Sequence, residues 1–245
     1  MNSIIKIEKL RRDFQVGSEV VHALKGISFD IVEGEFVSIM GTSGSGKSTL
    51  LNILGCLDRP TSGEYYIDGV AVSKRSKDEL STLRNRKIGF VFQSYNLLAR
   101  TTALENVELP LLYNSSVSSK ERKERAVFAL EQVGLQDRMD HMPNQLSGGQ
   151  QQRVAIARAL VNDPVILLAD EATGNLDTRT SYEIMSLFQR LNSNGKTIAF
   201  VTHEPDIAIF TNRTIQLKDG HIIKQEQIIP QSAAEALISL PKNED

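Results

Sequence analysis

Eight residues, Gly41-Thr42-Ser43-Gly44-Ser45-Gly46-Lys47-Ser48, lie between the apolar run Phe36 to Met40 and an apolar-periodic segment, Leu50, Leu51, Ile53, Leu54 and Leu57. A continuous apolar run is how a buried central strand reads, and the spacing that follows is helical, so the segment predicts strand, glycine-rich loop, helix. That is the context in which such a loop binds phosphate. Its glycines let backbone N–H groups wrap an anion, the helix N-terminus adds positive dipole, Lys47 reaches the β- and γ-phosphates, and the Ser48 hydroxyl can ligate Mg²⁺. Gly44-Ser45-Gly46 also begins a dinucleotide fingerprint, but Thr49 stands where the third glycine belongs, which excludes that reading.

The rest of the chain fits an α/β core. Val165 to Ala169 is a second continuous apolar run, Ile27, Phe29 and Ile31 alternate as a half-buried strand does, and Asp219-Gly220 between Ile215-Gln216-Leu217 and Ile222-Ile223 predicts a two-residue hairpin. Ser76 with Glu79, Ser118 with Glu121 and Thr180 with Glu183 have capping-box spacing, and Gly195 reads as a helix stop. From about Ser94 to Leu160 the strand-helix alternation lapses. A charged helix begins near Ser118, with Ala126, Val127, Ala129, Leu130 and Val133 at helical spacing, so this stretch is expected to be a helical subdomain. Residues 1–227 form the main domain and 228–245 a tail, in which Ala233, Ala234, Leu237 and Ile238 form one short helix or lie loose.

A chain of 245 residues, 40% hydrophobic and 24% charged, can bury a real core. A net charge of -2 and the lack of a sustained Lys/Arg tract argue against a nucleic-acid partner. Cys56 is the single cysteine, no apolar leader region follows Met1-Asn2-Ser3, and the apolar runs fall far short of the roughly 20 residues needed to cross a bilayer. The expected location is the cytoplasm, with any membrane contact made through another protein.

Three further features carry chemistry. Asp170 ends the run Val165 to Ala169, so its carboxylate should emerge beside the phosphate loop and hold Mg²⁺ directly or through water. Glu171 follows; taken alone, such an acidic pair could equally cap a helix. Ser147, Gly148 and Gly149 precede the helical segment Gln150 to Leu160, so hydroxyl, glycine N–H groups and helix N-terminus make a second phosphate cradle.

With Leu146-Ser147-Gly148-Gly149-Gln150 between the phosphate loop and Asp170-Glu171, the chain resembles the ATP-binding-cassette family over about Ile4 to Ile223. The resemblance implies a P-loop NTPase core with a mostly parallel sheet, an antiparallel β subdomain and an inserted α-helical signature subdomain at about 94–160. It implies nucleotide contacts from Gly41 through Thr49 and a general base, Glu171, assisted by a switch histidine, His203. Gln93 is implied to sense Mg²⁺ and the γ-phosphate and to link core to helical subdomain, while Phe14 stacks on adenine. By the same likeness Ser147, Gly148, Gly149 and Gln150 close over the ATP held by another copy, giving a homodimer with two sandwiched nucleotides, and Asp177 crosses that interface. Thr102 to Pro110 and Glu171 to Asp177 look like the macrolide-export and lipoprotein-release branch, apart from Ala172 where proline is usual. The implied partner is an integral membrane permease with a cytoplasmic coupling helix, expected to dock on Tyr95, Leu97, Leu98, Leu104, Val107, Leu109 and Leu111 because Pro110 should interrupt a helix there. A soluble relative acting on ribosomes or DNA would need two cassettes or long insertions, and a kinase would leave Leu146 to Gln150 unexplained.

Overall fold

The computed structural model describes residues 2–114 and 116–241. In order these form β1 (Ser3–Val16), β2 (Glu19–Val32), β3 (Phe36–Gly41), α1 (Lys47–Leu54), β4 (Ser62–Ile67), β5 (Val70–Ala71), α2 (Lys77–Lys87), β6 (Ile88–Phe92), α3 (Ala103–Leu112), α4 (Ser119–Gln132), α5 (Gly148–Leu160), β7 (Ile166–Asp170), α6 (Thr178–Ser193), β8 (Ile198–Thr202), α7 (Pro205–Ala208), β9 (Arg213–Lys218), β10 (His221–Gln227) and α8 (Ala233–Ser239). One sheet runs β10-β9-β3-β8-β7-β6 and is parallel except for the β9–β10 hairpin; a second, antiparallel sheet runs β2-β1-β4-β5.

The apolar runs are explained by burial on both faces of the larger sheet. Phe36, Leu167, Ala169, Ile198 and Phe200 belong to one buried cluster with residues of α3 to α6, whereas Val37, Leu168, Ala199 and Val201 belong to another with α1 and the antiparallel sheet. Successive strand residues point to opposite faces, so every position in such a strand has to be apolar. Phe188 of α6 closes the first cluster edge-on against Phe200, with ring centroids 5.5 Å apart.

Register then sets the functional edge. Met40 pairs with Thr202, Asp170 with Val201, and Phe92 with Asp170, so β3, β8, β7 and β6 end together. Their next residues, the loop from Gly41, His203, Glu171 and Gln93, therefore emerge side by side at the carboxyl edge, where parallel α/β sheets bind ligands.

Local chemistry agrees with most expected boundaries. Asp219 (φ 50) and Gly220 (φ 80) make the tight hairpin turn, whose two central residues both need positive φ. Ser76 and Glu79 form a full capping box, and its backbone and side-chain hydrogen bonds from Ser76, with Arg75, hold the Glu79 carboxyl down to about 2. At Ser118 only half the box is present: its hydroxyl accepts from the Glu121 N–H. Thr180 is not a cap at all, because Asp177 takes that position and receives the Thr180 N–H and hydroxyl. Pro110 does not interrupt α3; it lies near its end, where few helical bonds remain to be lost. The tail is helical rather than loose over Ala233–Ser239, packs on α6, and buries Ala233 in the core; residues 242–245 lie outside the described residues.

Asn106 fixes the loop before α3. Its side chain is fully buried, accepts from the Leu98 N–H at 2.8 Å, and donates to Leu98, Thr101 and Thr102 oxygens. Asn106→Leu keeps the branched shape but orphans those groups, so it should cost about 3 kcal/mol in urea unfolding.

Candidate functional site

The phosphate loop is shaped by contacts that tolerate no side chain. Gly46 caps α1 at φ 105, and a Cβ there would lie 2.7 Å from the Ala23 carbonyl; one on Gly41 would lie 2.5 Å from the Leu217 carbonyl. The first-turn N–H groups of α1 have no intrahelical acceptors and face an anion-binding position. Lys47 curls over the loop, its ammonium donating to the carbonyls of Gly41 (2.7 Å) and Thr42 (3.0 Å), and its third N–H is available to a ligand. A cleft of about 1000 Å³ is lined by Gly41 to Gly44 and Gly46 to Thr49, by Val21, His22 and Ala23 of β2, and by Glu171 and His203. Ser45 is buried beneath it with an unpartnered hydroxyl.

Glu171 and His203 meet directly, His203 Nδ1 to Glu171 Oε1 at 2.9 Å. Glu171 adopts φ 45 while its N–H donates to the Val201 carbonyl at 2.9 Å. A non-glycine residue held in this left-handed conformation is the kind of local strain that collects at functional sites. Asp170, half-buried behind it, has its carboxyl raised above the ordinary aspartate range by burial and by Glu171, against the lowering effect of Lys47.

Gln93, Phe14, Asp170 and Asp177 are not among the residues that line the cleft. Gln93, expected at the metal, donates from its side-chain amide to Asn175 Oδ1 at 3.3 Å, and its backbone carbonyl accepts from Asn175 Nδ2 at 3.1 Å, tying the end of β6 to the loop before α6. Phe14 does not line the cleft; it pairs with Val21, which does, and carries the Arg12 guanidinium 4.2 Å over one ring face. Asp177 caps α6, and its hydrogen bonds from Thr180 hold its carboxyl below the usual range.

The signature segment lies apart from this cleft. Ser147 caps α5 in a full box with Gln150, but the helix begins at Gly148, so both glycines lie inside its first turn. A Cβ on Gly149 would meet Thr180 Cγ2 at 2.5 Å, and one on Gly148 would meet the Tyr95 hydroxyl at 2.9 Å. None of Ser147 to Gln150 lines the cleft that holds Lys47. Sequence does not single out Asn175 or Arg158, and it marks Tyr95 only as a docking residue. Their links are hydrogen bonds between distant segments, Arg158 donating to the Tyr95 (2.7 Å) and Asn96 (2.6 Å) carbonyls, and no local spacing reveals such contacts.

The family model described as ABC transporter matches residues 24–174, more than half of the chain. The chain belongs to the ABC transporter family. Among its relatives, the uncharacterized ABC transporter ATP-binding protein YknY of Bacillus subtilis is 57% identical over 220 residues, covering 90% of this chain and 95% of that one. The macrolide export ATP-binding/permease protein MacB of Syntrophobacter fumaroxidans is 53% identical over 221 residues, covering 89% of this chain but 31% of MacB. Among solved structures, the dimeric post-hydrolysis state of the ATP-binding cassette MJ0796 bound to ADP and Pi superposes with TM-score 0.83 at 50% identity, covering 93% of this chain and all of that one. This ABC cassette is therefore an ATP-binding and ATP-hydrolysing subunit of a transporter, of the type found in the macrolide-export and lipoprotein-release branch.

Proposed function

We propose that ATP binds with its phosphates on Gly41 to Thr49 and that Glu171 is the general base for the attacking water. The observation that carries this reading is the Glu171–His203 contact in the lining of the same cleft that contains Lys47. A base must hold its carboxylate oriented toward a water, and the His203 ring fixes one oxygen while leaving the other free. His203, with 58% of its side chain exposed, is placed to reach a γ-phosphate with its other ring nitrogen. The donor set suits Mg²⁺: Ser48 and Asp170 are hard oxygen ligands, and the described residues contain no cluster of three or more His, Cys, Asp or Glu that would favour another metal. Held by Ser48 and Asp170, a bound Mg²⁺ would supply positive charge against the phosphates. Gln93, linked to Asn175, would report on that ion by turning toward it.

Asp170 yields a test with a defined sign. A carboxyl whose folded pKa is raised costs stability once it ionises, so stability falls as pH climbs from the ordinary aspartate range through the raised value. Asp170→Asn should therefore raise the thermal midpoint at pH 7, lose that advantage below the ordinary aspartate range, and abolish Mg²⁺-dependent turnover. A lower midpoint at pH 7 would count against a strained, metal-awaiting carboxylate.

The separate Ser147 cradle supports a sandwich in which each copy closes on the other's nucleotide, the arrangement suggested by the dimeric MJ0796 cassette bound to ADP and Pi. A membrane permease as partner is supported by MacB, whose name couples ATP-binding and permease parts, and by the fact that no helix among the described residues is long and apolar enough to cross a membrane. The cassette would then sit on the cytoplasmic face through that permease, with the segment 94–160 as the moving subdomain.

Four of the seven apolar residues expected to dock the permease belong to the core, while Leu98 is exposed and Leu109 lines a groove. Val107 and Leu111 are fully buried, and Leu97 and Leu104 pack against the same core. That groove, of about 870 Å³, opens on the other side of α3, between α2, β6 and α5, floored by stacked Phe90 and Phe92 (centroids 5.3 Å) and edged by Pro110 and Tyr113. Tyr113 is 83% exposed, so Tyr113→Ala should fold normally yet weaken permease binding about tenfold in detergent pull-down. Unchanged binding would move the docking site elsewhere.

A further inference from the structure

The groove carries charge that the chain itself leaves unbalanced. Arg84, Arg86 and Arg158 line it beside Phe90, Phe92 and Tyr113, and Asp78 is the one carboxylate among its lining residues. Among the described residues none of these three arginines, nor Asp78, is in an ion pair. Arg84 donates to the Cys56 carbonyl at 3.1 Å and the Ser81 hydroxyl at 3.4 Å. Arg84 and Arg86 lie in the last turn of α2, where a cation is favoured by the helix dipole, so they need no further reason to be there. Arg158 is different. It ends α5 but reaches across to Tyr95 and Asn96, and burial pushes its guanidinium below its ordinary pKa. A helix that covered this groove with an apolar face alone would desolvate the cation further with nothing to offset the cost.

We propose that the helix seated in this groove presents a carboxylate, from an Asp or Glu side chain, to Arg158. This rests on the docking reading above and adds the chemistry that selects the partner. The position has consequences inside the cassette. Tyr95 (φ 57) and Asn96 (φ 51) are consecutive L-residues in the left-handed region, a strained turn held by the two Arg158 bonds, two residues after Gln93. The Tyr95 hydroxyl also abuts Gly148 of the signature turn, 2.9 Å from where a Cβ would stand. A carboxylate sharing Arg158 would thus act on a side chain that ties α5, the helix capped by Ser147, to the turn that follows Gln93.

The test uses the full chain and two helical peptides of about four turns, each with leucines on one face and, at the centre of that face, either glutamate or glutamine. Fluorescence anisotropy should show the glutamate peptide binding about tenfold or more tightly than its twin, the scale of a charge-assisted hydrogen bond. Tyr113→Ala should weaken both, and Arg158→Met should erase the difference between them. If Arg158→Met does not fold, the glutamate preference of the unaltered chain decides, together with its persistence in the Arg84→Met, Arg86→Met double variant, where a preference set by Arg158 survives. Equal binding of the two peptides, with both weakened by Tyr113→Ala, overturns the carboxylate and leaves the docking reading standing. Binding of neither peptide overturns both, and a preference that persists in folded Arg158→Met removes Arg158 from the role.

Discussion

Glu171→Gln should bind ATP within a few-fold of the unaltered chain but hydrolyse it more slowly, on the order of 10²- to 10⁴-fold, the usual worth of a positioned general base. The substitution keeps the shape, the φ 45 backbone and a hydrogen-bonding partner for His203, and removes only the ability to accept a proton. Because nucleotide would then persist, the variant should accumulate as an ATP-bound dimer in light scattering, while the unaltered chain returns to monomer as ATP is consumed. His203→Ala should give a smaller loss: it frees the Glu171 carboxylate to rotate without removing its basicity, so activity at raised pH should not recover it. Turnover by Glu171→Gln close to that of the unaltered chain, in a single-turnover assay free of contaminating ATPase, would exclude this carboxylate as the base.

Much of this geometry was legible because it follows from burial. The strands Ile88–Phe92 and Ile198–Thr202 fall where their apolar residues fall, and parallel register then brings Gln93, Glu171 and His203 to one edge without further information. What sequence could not resolve was competition between neighbours. Thr180 has the spacing of a cap, but Asp177 three residues earlier has the better acceptor and takes the role. The apolar residues of α3 divide by helical face: Val107 and Leu111, four apart, go to the core, and Leu109, Pro110 and Tyr113 go to the groove. A run counted as one exposed surface was in fact two. The Gln93–Asn175 and Arg158–Tyr95 links join residues far apart in the chain, and nothing local in either partner announces them.

Ser147→Arg should abolish steady-state hydrolysis, by roughly 10²-fold or more if the signature supplies transition-state donors, while ATP binding to the isolated chain stays intact. The reason is positional. Ser147 is exposed, caps α5, and lies outside the cleft that contains Lys47, so a bulky cation there touches no nucleotide held by its own chain. It would instead block the approach of a second copy. Lys47→Ala should be equally inactive for the opposite reason, losing the phosphate-binding ammonium in its own cleft. Mixed in equal amounts, the two variants can form a heterodimer with one composite site carrying both defects and the other carrying neither, so part of the activity should return if one intact site can turn over. Crosslinking gives a sharper measure, since Cys56 is buried with its thiol pushed up to about 11 and should stay unreactive. Thr42→Cys with Ser147→Cys in one chain should yield ATP-dependent disulfides between copies. Disulfides formed only within single chains would mean that both cradles serve one nucleotide in one subunit, and the sandwich arrangement would have to be abandoned.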